Sequence, residues 1–343
     1  MTPEEYAAQQ AVITSGLAAY VTKIANLFTG PALSVRDWLS FLEFLFPEVQ
    51  KRYEQSARLG RFFYDSQRKR FHPELVRHEM LLTDLKWEWF VKNMEPARKG
   101  LSQADSPPQA PAKAAFTAVR EVEMAARRQI IGAVKNDDEL KLKIDEQEDL
   151  PASTKQVIGW ARVATGRETC AWCLMLISRG AKLNHKKNFG YAEAATAGID
   201  LDDQTALDLY NEAGGDLELF RDLLYDDQAE ESLMEEWHTG CDCLAVPVFD
   251  VADWPGLDQA KQALQLWIDA SKEAKKLIES GESRTKNNGT ETLNALRRRL
   301  YKGEVNIKDY AIGRSSRAPG GFNYNYPRRK RLCPTTPQIL LSR

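Results

Sequence analysis

The chain has 343 residues, a hydrophobic fraction of 43%, a charged fraction of 28% and a formal net charge of -2 at pH 7. These values are those of an ordinary globular protein and exclude a largely disordered one. No stretch reaches the roughly 18 consecutive apolar residues of a membrane-spanning helix, so no membrane partner is expected. Glu4 and Glu5 stand where a secretory signal peptide needs basic residues, which predicts a protein that stays in the cytoplasm of the cell that makes it.

Residues 1–100 are predicted to form a helical N-terminal domain. Apolar residues recur at three- and four-residue spacing between Val12 and Phe28, as they do along one face of an amphipathic helix. Gly30-Pro31 is expected to end this helix. The spacing predicts a helical bundle whose apolar faces pack together rather than a ligand pocket.

Further helices are predicted in the remainder of this domain. Ser34 followed by Asp37 has the pattern of a capping box and predicts a second helix, which Pro47 is expected to close. A third helix is expected to run to about Arg70. Residues 75–91 again carry apolar side chains at helical spacing, which predicts another helix.

The rest of the chain divides at changes in composition. Residues 101–113 contain several prolines and are predicted to be a linker. A domain is predicted over residues 114–255, beginning with a helix to about Val134 that is followed by a charged loop over residues 135–150. One amphipathic helix is expected over residues 256–280, and residues 281–343 are predicted to be a basic, largely disordered tail.

Charge is unevenly distributed. Residues 192–236 hold fifteen Asp or Glu residues and one basic residue, whereas residues 284–331 hold thirteen Lys or Arg residues and three acidic ones. The acidic stretch is expected to be a solvated face rather than a metal site, although Asp202-Asp203 and Asp226-Asp227 could attract a cation. The basic tail is interleaved with aromatic residues, which are Tyr310, Phe322, Tyr324 and Tyr326. Such a tail suits contact with DNA phosphates and bases, or with an acidic surface of a partner protein.

Four of the five cysteines fall in two close pairs, Cys170 with Cys173 and Cys241 with Cys243. His238 precedes the second pair by three residues. Two cysteine pairs and a histidine offer five candidate ligands for the four places of a tetrahedral Zn²⁺ site. Such a site would join two distant chain segments and stabilise the fold directly, which is the structural use of zinc.

Two other interpretations of these residues stay open. The cysteines could be ordinary buried thiols, or thiols able to form disulfides. Alternatively, Cys170 or Cys173 could be a thiolate nucleophile with His238 as its base. The sequence contains no Gly-x-Ser-x-Gly, His-Glu-x-x-His or phosphate-binding glycine loop, so no catalytic residue is assigned.

The cysteine motifs and their surroundings resemble those of a known family. The residues concerned are Thr165-Gly166, Cys170-Ala171-Trp172-Cys173, Arg179-Gly180, His238, Cys241, Cys243 and the apolar strand expected over Leu244–Phe249. Together they resemble the MuF-like minor capsid proteins of phages that infect actinobacteria. Helical motifs upstream, including Asp37-Trp38-Leu39 and Phe63-Tyr64-Asp65, are similar as well, so the resemblance extends from Ala11 to Phe249. Many relatives have a further histidine where this chain has Thr239-Gly240.

The resemblance implies a mainly α-helical protein with a small α+β domain. It also implies a few-copy protein of the procapsid or virion that acts in head morphogenesis near the portal. Its expected partners are the portal and the major capsid or scaffold proteins, with packaged DNA as a further candidate. Some relatives are described as capsid maturation proteases, so proteolysis is the alternative function. A DNA-binding module that acts outside the virion is a third hypothesis.

Overall fold

A computed structural model describes most of the chain. The described residues are 1–28, 33–101, 109–145, 159–166, 169–183, 237–238, 240–241, 243–250 and 253–312. The acidic stretch 192–236, with both aspartate pairs named above, lies outside them. Residues 313–343 of the basic tail also lie outside the described residues.

The described part of the chain is mainly helical, with one small sheet. The helices are α1 (Pro3–Leu27), α2 (Val35–Phe71), α3 (Trp87–Leu101), α4 (Ala110–Asn136), α5 (Asp138–Asp145), α6 (Ala171–Ile177), α7 (Leu257–Glu279) and α8 (Asn288–Lys302), followed by a 3-10 turn at Ile307–Tyr310. The strands β1 (Gly159–Val163), β2 (Ala181–Leu183) and β3 (Leu244–Val248) form an antiparallel sheet in the order β2-β1-β3. This confirms the predicted fold class. Among the described residues, no helix combines the length and the apolar character needed to cross a membrane.

Side-chain caps define where the first two helices begin. At the start of α2, Ser34 accepts a hydrogen bond from the backbone N–H of Asp37, and the Asp37 carboxylate accepts one from the backbone N–H of Ser34. Thr2 and Glu5 form the same reciprocal pair at the start of α1. Each cap satisfies backbone donors that the first helical turn leaves unpaired. The capping box predicted at Ser34 is therefore confirmed.

Pro47 does not end the second helix, contrary to the sequence-based expectation. Helix α2 runs through it as one element of 37 residues. Proline removes one backbone donor from a helix interior and costs about 3 kcal/mol. The neighbouring Leu45 and Val49 are fully buried in the bundle, and the packing of this face outweighs the loss.

The helix predicted over residues 75–91 begins only at Trp87. Residues 74–86 instead run without helix or strand across α2 and α4, and their backbone is held by side chains of those helices. The Arg68 guanidinium donates to the carbonyl of Val76 at 2.6 Å. The Gln129 side chain accepts from the Thr83 backbone N–H at 2.9 Å and donates to the Leu81 carbonyl at 3.2 Å. These bonds replace the ones that a helix would have made.

Helix α4 contains the helix predicted over residues 114–134 and begins four residues earlier, inside the predicted linker. It packs against α1, α2 and α3 in the helical bundle and against β1 and β3 in the sheet. Ala118 and Val122 belong to the apolar core of the bundle, whereas Ile130 and Val134 belong to the core around the sheet. The same helix thus contributes to both cores, and the division into domains at residue 113 stays a prediction.

Both faces of the sheet are covered. Successive side chains of a strand point to opposite faces, and all five residues of β1 are buried. Helices α4 and α6 pack on β1, and α7 and α8 pack on α6. The strand predicted to begin at Leu244 is confirmed as β3, and the helix predicted over residues 256–280 is confirmed as α7.

The beginning of the predicted tail is ordered, which corrects the sequence-based expectation for residues 281–312. Helix α8 lies there and packs against α7. Arg298 and Arg299 form ion pairs with Glu273 of α7 at 3.0 Å. The following 3-10 turn leads to Ile312, whose backbone N–H donates to the Ala164 carbonyl beside β1 at 2.9 Å. The apolar spacing of α8 is short and surrounded by arginines, so composition alone favoured disorder.

A buried ion pair joins α2 to the end of α4. Asp137 is fully buried and accepts hydrogen bonds from Arg68 at 2.5 and 3.0 Å and from the Tyr64 hydroxyl at 2.6 Å. It also accepts from the backbone N–H of Leu140 at the start of α5. Helix α5 occupies part of the charged loop predicted over residues 135–150. Burial alone would raise the pKa of Asp137, but the bonds from Arg68 and Tyr64 outweigh it and hold the pKa below 3.8.

Helices α2 and α4 approach most closely at Gly60. A Cβ atom on this glycine would lie 2.8 Å from the Cα and the carbonyl oxygen of Ala126. We predict that Gly60→Ala lowers the free energy of unfolding by about 1 to 3 kcal/mol, because two helix backbones would have to separate. Urea unfolding measures the change. Gly16→Ala is the matched control, because the nearest atoms there are 3.6 Å away on the flexible Arg52 side chain. An equal effect of both substitutions would contradict the close approach.

Asp137→Asn is predicted to lower the free energy of unfolding at pH 7 by about 3 to 5 kcal/mol, because the buried Arg68 would lose its buried carboxylate and keep only the exposed Glu139 as an anionic partner. The folded-state pKa of Asp137 is lowered, so its contribution is present above the unfolded pKa of about 3.9 and is lost as the pH falls through the folded pKa. The difference between the two proteins should therefore shrink in acid.

Asp138→Asn is the control for this comparison. Its side chain is 85% exposed and pairs only with Lys141 in the surface ion pair that the structure describes. The free energy of unfolding of this variant, measured in urea at neutral pH, should differ from that of the wild type by less than about 0.5 kcal/mol. Equal unfolding energies for wild type and Asp137→Asn at pH 7 would show that the buried pair contributes nothing.

Candidate metal centre

Cys170 and Cys173 are placed by helix α6. Cys170 is the residue that precedes the helix, and Cys173 lies within its first turn. Residues three positions apart lie on the same side of a helix, so the two thiols point the same way, with 3.7 Å between their Sγ atoms. Cys173 is fully buried, and Cys170 is half-buried. All four cysteines of the two motifs are free thiols and form no disulfide with one another in the structure.

His238 and Cys241 are placed by a tight turn just before β3. The backbone N–H of Cys241 donates to the carbonyl of His238 at 3.1 Å, which closes the turn. Gly240 has a φ of +81°, a conformation that glycine adopts readily and other residues rarely do. A side chain at position 240 would therefore be strained in this turn.

The two motifs meet in space, as the sequence analysis predicted. The His238 Nε2 atom lies 3.3 Å from the Cys170 Sγ and 3.4 Å from the Cys173 Sγ. The Cys173 Sγ lies 3.5 Å from the Cys241 Sγ. Among the described residues, the potential ligand atoms fall into two groups of three that share Cys173, one with Cys170 and His238 and one with Cys241 and Cys243. Within each group, the ligand atoms lie within 4.8 Å of one another.

Thiol and imidazole groups in this arrangement fit Zn²⁺. Zn–S bonds of about 2.3 Å and Zn–N bonds of about 2.0–2.1 Å place neighbouring tetrahedral ligands about 3.6 to 3.8 Å apart. The observed separations of 3.3 to 3.7 Å are close to these values. One group supplies three ligands, and a fourth ligand from the other group would have to move closer to complete four-fold coordination. Soft thiolates with an imidazole are the donors that zinc prefers over Mg²⁺ or Ca²⁺.

The thiols have unequal acidity. Hydrogen bonds with Cys173 and Cys243 lower the pKa of Cys241 well below 9.0 against the effect of burial, and the charges of Arg127 and Arg162 add to the lowering. For Cys173, a hydrogen bond with Cys170 lowers the pKa, but bonds with Cys241 and Cys243 together with burial raise it well above 9.0. The pKa values of these two buried thiols are thus shifted in opposite directions.

Two arginines and a tryptophan surround the cluster, and the sequence analysis assigned no role to any of them. Arg127 of α4 donates to the carbonyls of Cys241 and Cys243 at 2.7 and 2.8 Å. The guanidinium groups of Arg127 and Arg162 lie over the ring of Trp237, 4.1 and 3.7 Å from its centroid. All three side chains are buried.

A sequence signal for Arg127 existed. It is spaced with Ile131 and Val134 on the apolar face of a predicted helix, where a charged residue needs a buried partner. Arg162 likewise stands within an apolar strand. Of the two histidines nearer the N-terminus, His72 is buried against the ring of Phe249, and the backbone carbonyl of His78 accepts a hydrogen bond from Arg61.

Comparison with known proteins agrees with the phage resemblance at a coarser level. The sequence profile of the VG15 protein family matches residues 3–202, more than half of the chain. The chain belongs to the VG15 protein family. The Gene 15 protein of Mycobacterium phage L5 is 62% identical over 312 residues, which cover 91% of this chain and 99% of that protein.

A second VG15-like relative leads to the same assignment. The Gene 15 protein of Mycobacterium phage D29 is 58% identical over 301 residues, which cover 88% of this chain and 99% of that protein. Both relatives are bacteriophage proteins and extend beyond β3 into the C-terminal part of the chain. No solved structure matches the chain.

Proposed function

We propose that this VG15-family protein is a structural, MuF-like minor capsid protein that acts in phage head morphogenesis and whose Cys/His cluster holds a structural Zn²⁺. The similarity to two phage proteins over about nine tenths of the chain supports a phage role. Its partners would be the portal and the major capsid or scaffold proteins. It would be made in the host cytoplasm and carried into the virion.

The observation that carries a structural rather than a catalytic role is the burial of the thiols against one another. Cys173, Cys241 and Cys243 are at most 1% exposed. A nucleophile needs a substrate carbonyl within about 3 to 3.5 Å, and the neighbouring thiols already occupy that space around Cys173. Closed sites with four protein ligands are typical of structural zinc.

The alternative function, a capsid maturation protease, rests on one distance. His238 Nε2 lies 3.3 Å from the half-buried Cys170 Sγ, which is within reach of a base that activates a thiol. The same nitrogen lies almost as close to Cys173, which a metal-ligand arrangement requires and a nucleophile–base pair does not. The ligand interpretation explains both distances.

Contact with packaged DNA stays a proposal about residues 313–343. In the described part of the predicted tail, Arg298 pairs with Glu273 and Glu291, and Arg299 pairs with Glu273. These arginines stabilise the α7–α8 pair and are less available to phosphates. The proposed DNA contact therefore depends on the basic residues after Ile312.

The head-morphogenesis proposal is tested in infected cells with a tagged chain. We predict that it copurifies with procapsids and with the portal protein, and that a phage lacking it produces few DNA-filled heads. Coexpression with the major capsid and scaffold proteins should leave both uncleaved. Absence from purified heads and virions would contradict the proposal. Cleavage that a folded Cys170→Ser variant abolishes, and a Cys333→Ser control retains, would establish the protease instead.

The zinc proposal is tested by elemental analysis and thermal melting of the purified chain. We predict about one zinc per chain and a lower Tm after chelation, because metal binding contributes to folding free energy. Cys173→Ser should lose the metal, since Cys173 belongs to both ligand groups. Cys333→Ser, outside the candidate set, should keep it. A chain that contains no zinc and whose Tm does not respond to added Zn²⁺ would refute the site.

A further inference from the structure

Arg127 touches the candidate metal centre without offering a ligand atom. It lies in the middle of α4 and is 1% exposed. Its Nη2 atom donates to the carbonyls of Cys241 and Cys243 at 2.7 and 2.8 Å, and its Nε atom donates to Cys243 at 3.1 Å. One guanidinium therefore fixes the backbone at both cysteines of the second motif.

The same guanidinium also orients the residue before His238. It lies over the ring of Trp237 at 4.1 Å from the centroid, within the range of a cation–π contact. Arg120 lies seven residues earlier on α4, about two helical turns away, and donates to the Trp237 carbonyl at 2.7 Å. The His238 and Cys241 ends of the turn are thus both attached to α4.

Two buried guanidinium groups lie where a zinc–thiolate centre would carry negative charge. Zn²⁺ with three thiolates and a neutral imidazole carries one net negative charge, and with four thiolates it carries two. Arg127 is paired with Glu123 at 3.1 Å, and Arg162 is fully buried over the same tryptophan. Both guanidinium groups therefore lie beside the cluster, where positive charge favours an anionic centre. Burial of an anionic centre requires such compensation.

We propose that Arg127 is a positioning residue of the metal centre, which holds the Cys241 and Cys243 backbone in place and offsets the thiolate charge. This inference rests on the proposed zinc site. Outer residues that orient ligands and tune a metal typically contribute 10- to 100-fold to its affinity. Arg127 would also link metal binding to the bundle, because α4 packs on α1, α2 and α3.

The test uses the full chain with Arg127→Gln and Arg127→Lys. Zinc affinity is measured by competition with a chromophoric chelator, and Co²⁺ replaces zinc for absorption spectra. We predict that Arg127→Gln weakens zinc binding by about 10- to 100-fold. It should also reduce the thiolate-to-Co²⁺ charge-transfer absorption per bound metal, because fewer thiolates would reach the ion. Arg127→Lys keeps the charge but cannot hold both carbonyls in the same way, so its affinity should fall between those of the other two proteins.

Arg128→Gln is the matched control. Arg128 is the next residue of α4 and is half-buried. Its Nη1 atom lies 3.4 Å from the Tyr53 hydroxyl, and it has no described bond to the cysteine loop, which comprises residues 237–243. Its zinc affinity and Co²⁺ spectrum should equal those of the wild type. A purely structural role for Arg127 would lower the Tm of the metal-free protein and leave the spectrum of the Co²⁺-loaded protein unchanged.

The outcomes separate this inference from the proposed function. A wild-type chain that binds neither Zn²⁺ nor Co²⁺ would overturn the metal site and the role of Arg127 together. A wild type that binds metal, beside an Arg127→Gln variant with the same affinity and spectrum, would overturn the role of Arg127 alone. If Arg127→Gln does not fold, Arg127→Lys decides, and wild-type affinity in that variant would overturn the inference.

Discussion

The contact between the cysteine loop and α4 is the constraint on which the second half of the structure depends. The described residues from Trp237 to Cys243 belong to no helix or strand, so the buried carbonyls of Trp237, Cys241 and Cys243 need donors from elsewhere in the chain. Arg120 and Arg127 meet this need with four hydrogen bonds from the same side of one helix. Without these bonds, the segment that leads into β3 would not be fixed to α4.

Helix α4 can serve this purpose because it is fixed at several points along its length. The close approach of α2 at Gly60 holds its middle, and the Arg68–Asp137 pair holds its end. Elements that are distant in sequence pack on α4: the other helices of the bundle on one part of it and the sheet on another. A small three-stranded sheet has little core of its own, which is why a metal that joins α6 to the loop before β3 would contribute strongly.

Much of this could be predicted from local sequence, because the responsible interactions are local. The capping box at Ser34, the apolar strand from Leu244 and the two cysteine pairs each depend on residues within a few positions of one another. The meeting of the cysteine motifs followed from the chemistry of thiols and imidazole.

Long-range packing explains what the sequence did not reveal. Pro47 lies within α2 because buried neighbours outweigh a lost backbone bond, and residues 74–86 are not helical because side chains of α2 and α4 bind their backbone. The role of Arg127 depends on carbonyls more than a hundred positions away, which no local pattern encodes.

We propose that the Cys/His cluster is a closed, four-ligand zinc centre. X-ray absorption at the zinc edge of the purified chain is the decisive test of this proposal. We expect only protein ligands around the zinc, mostly sulfur, with Zn–S distances of about 2.3 Å and Zn–N distances of about 2.0–2.1 Å. Cys173→Ser should lose the zinc and therefore give no zinc edge. A spectrum dominated by oxygen or nitrogen ligands, or one with a water in the coordination sphere, would contradict a closed structural site.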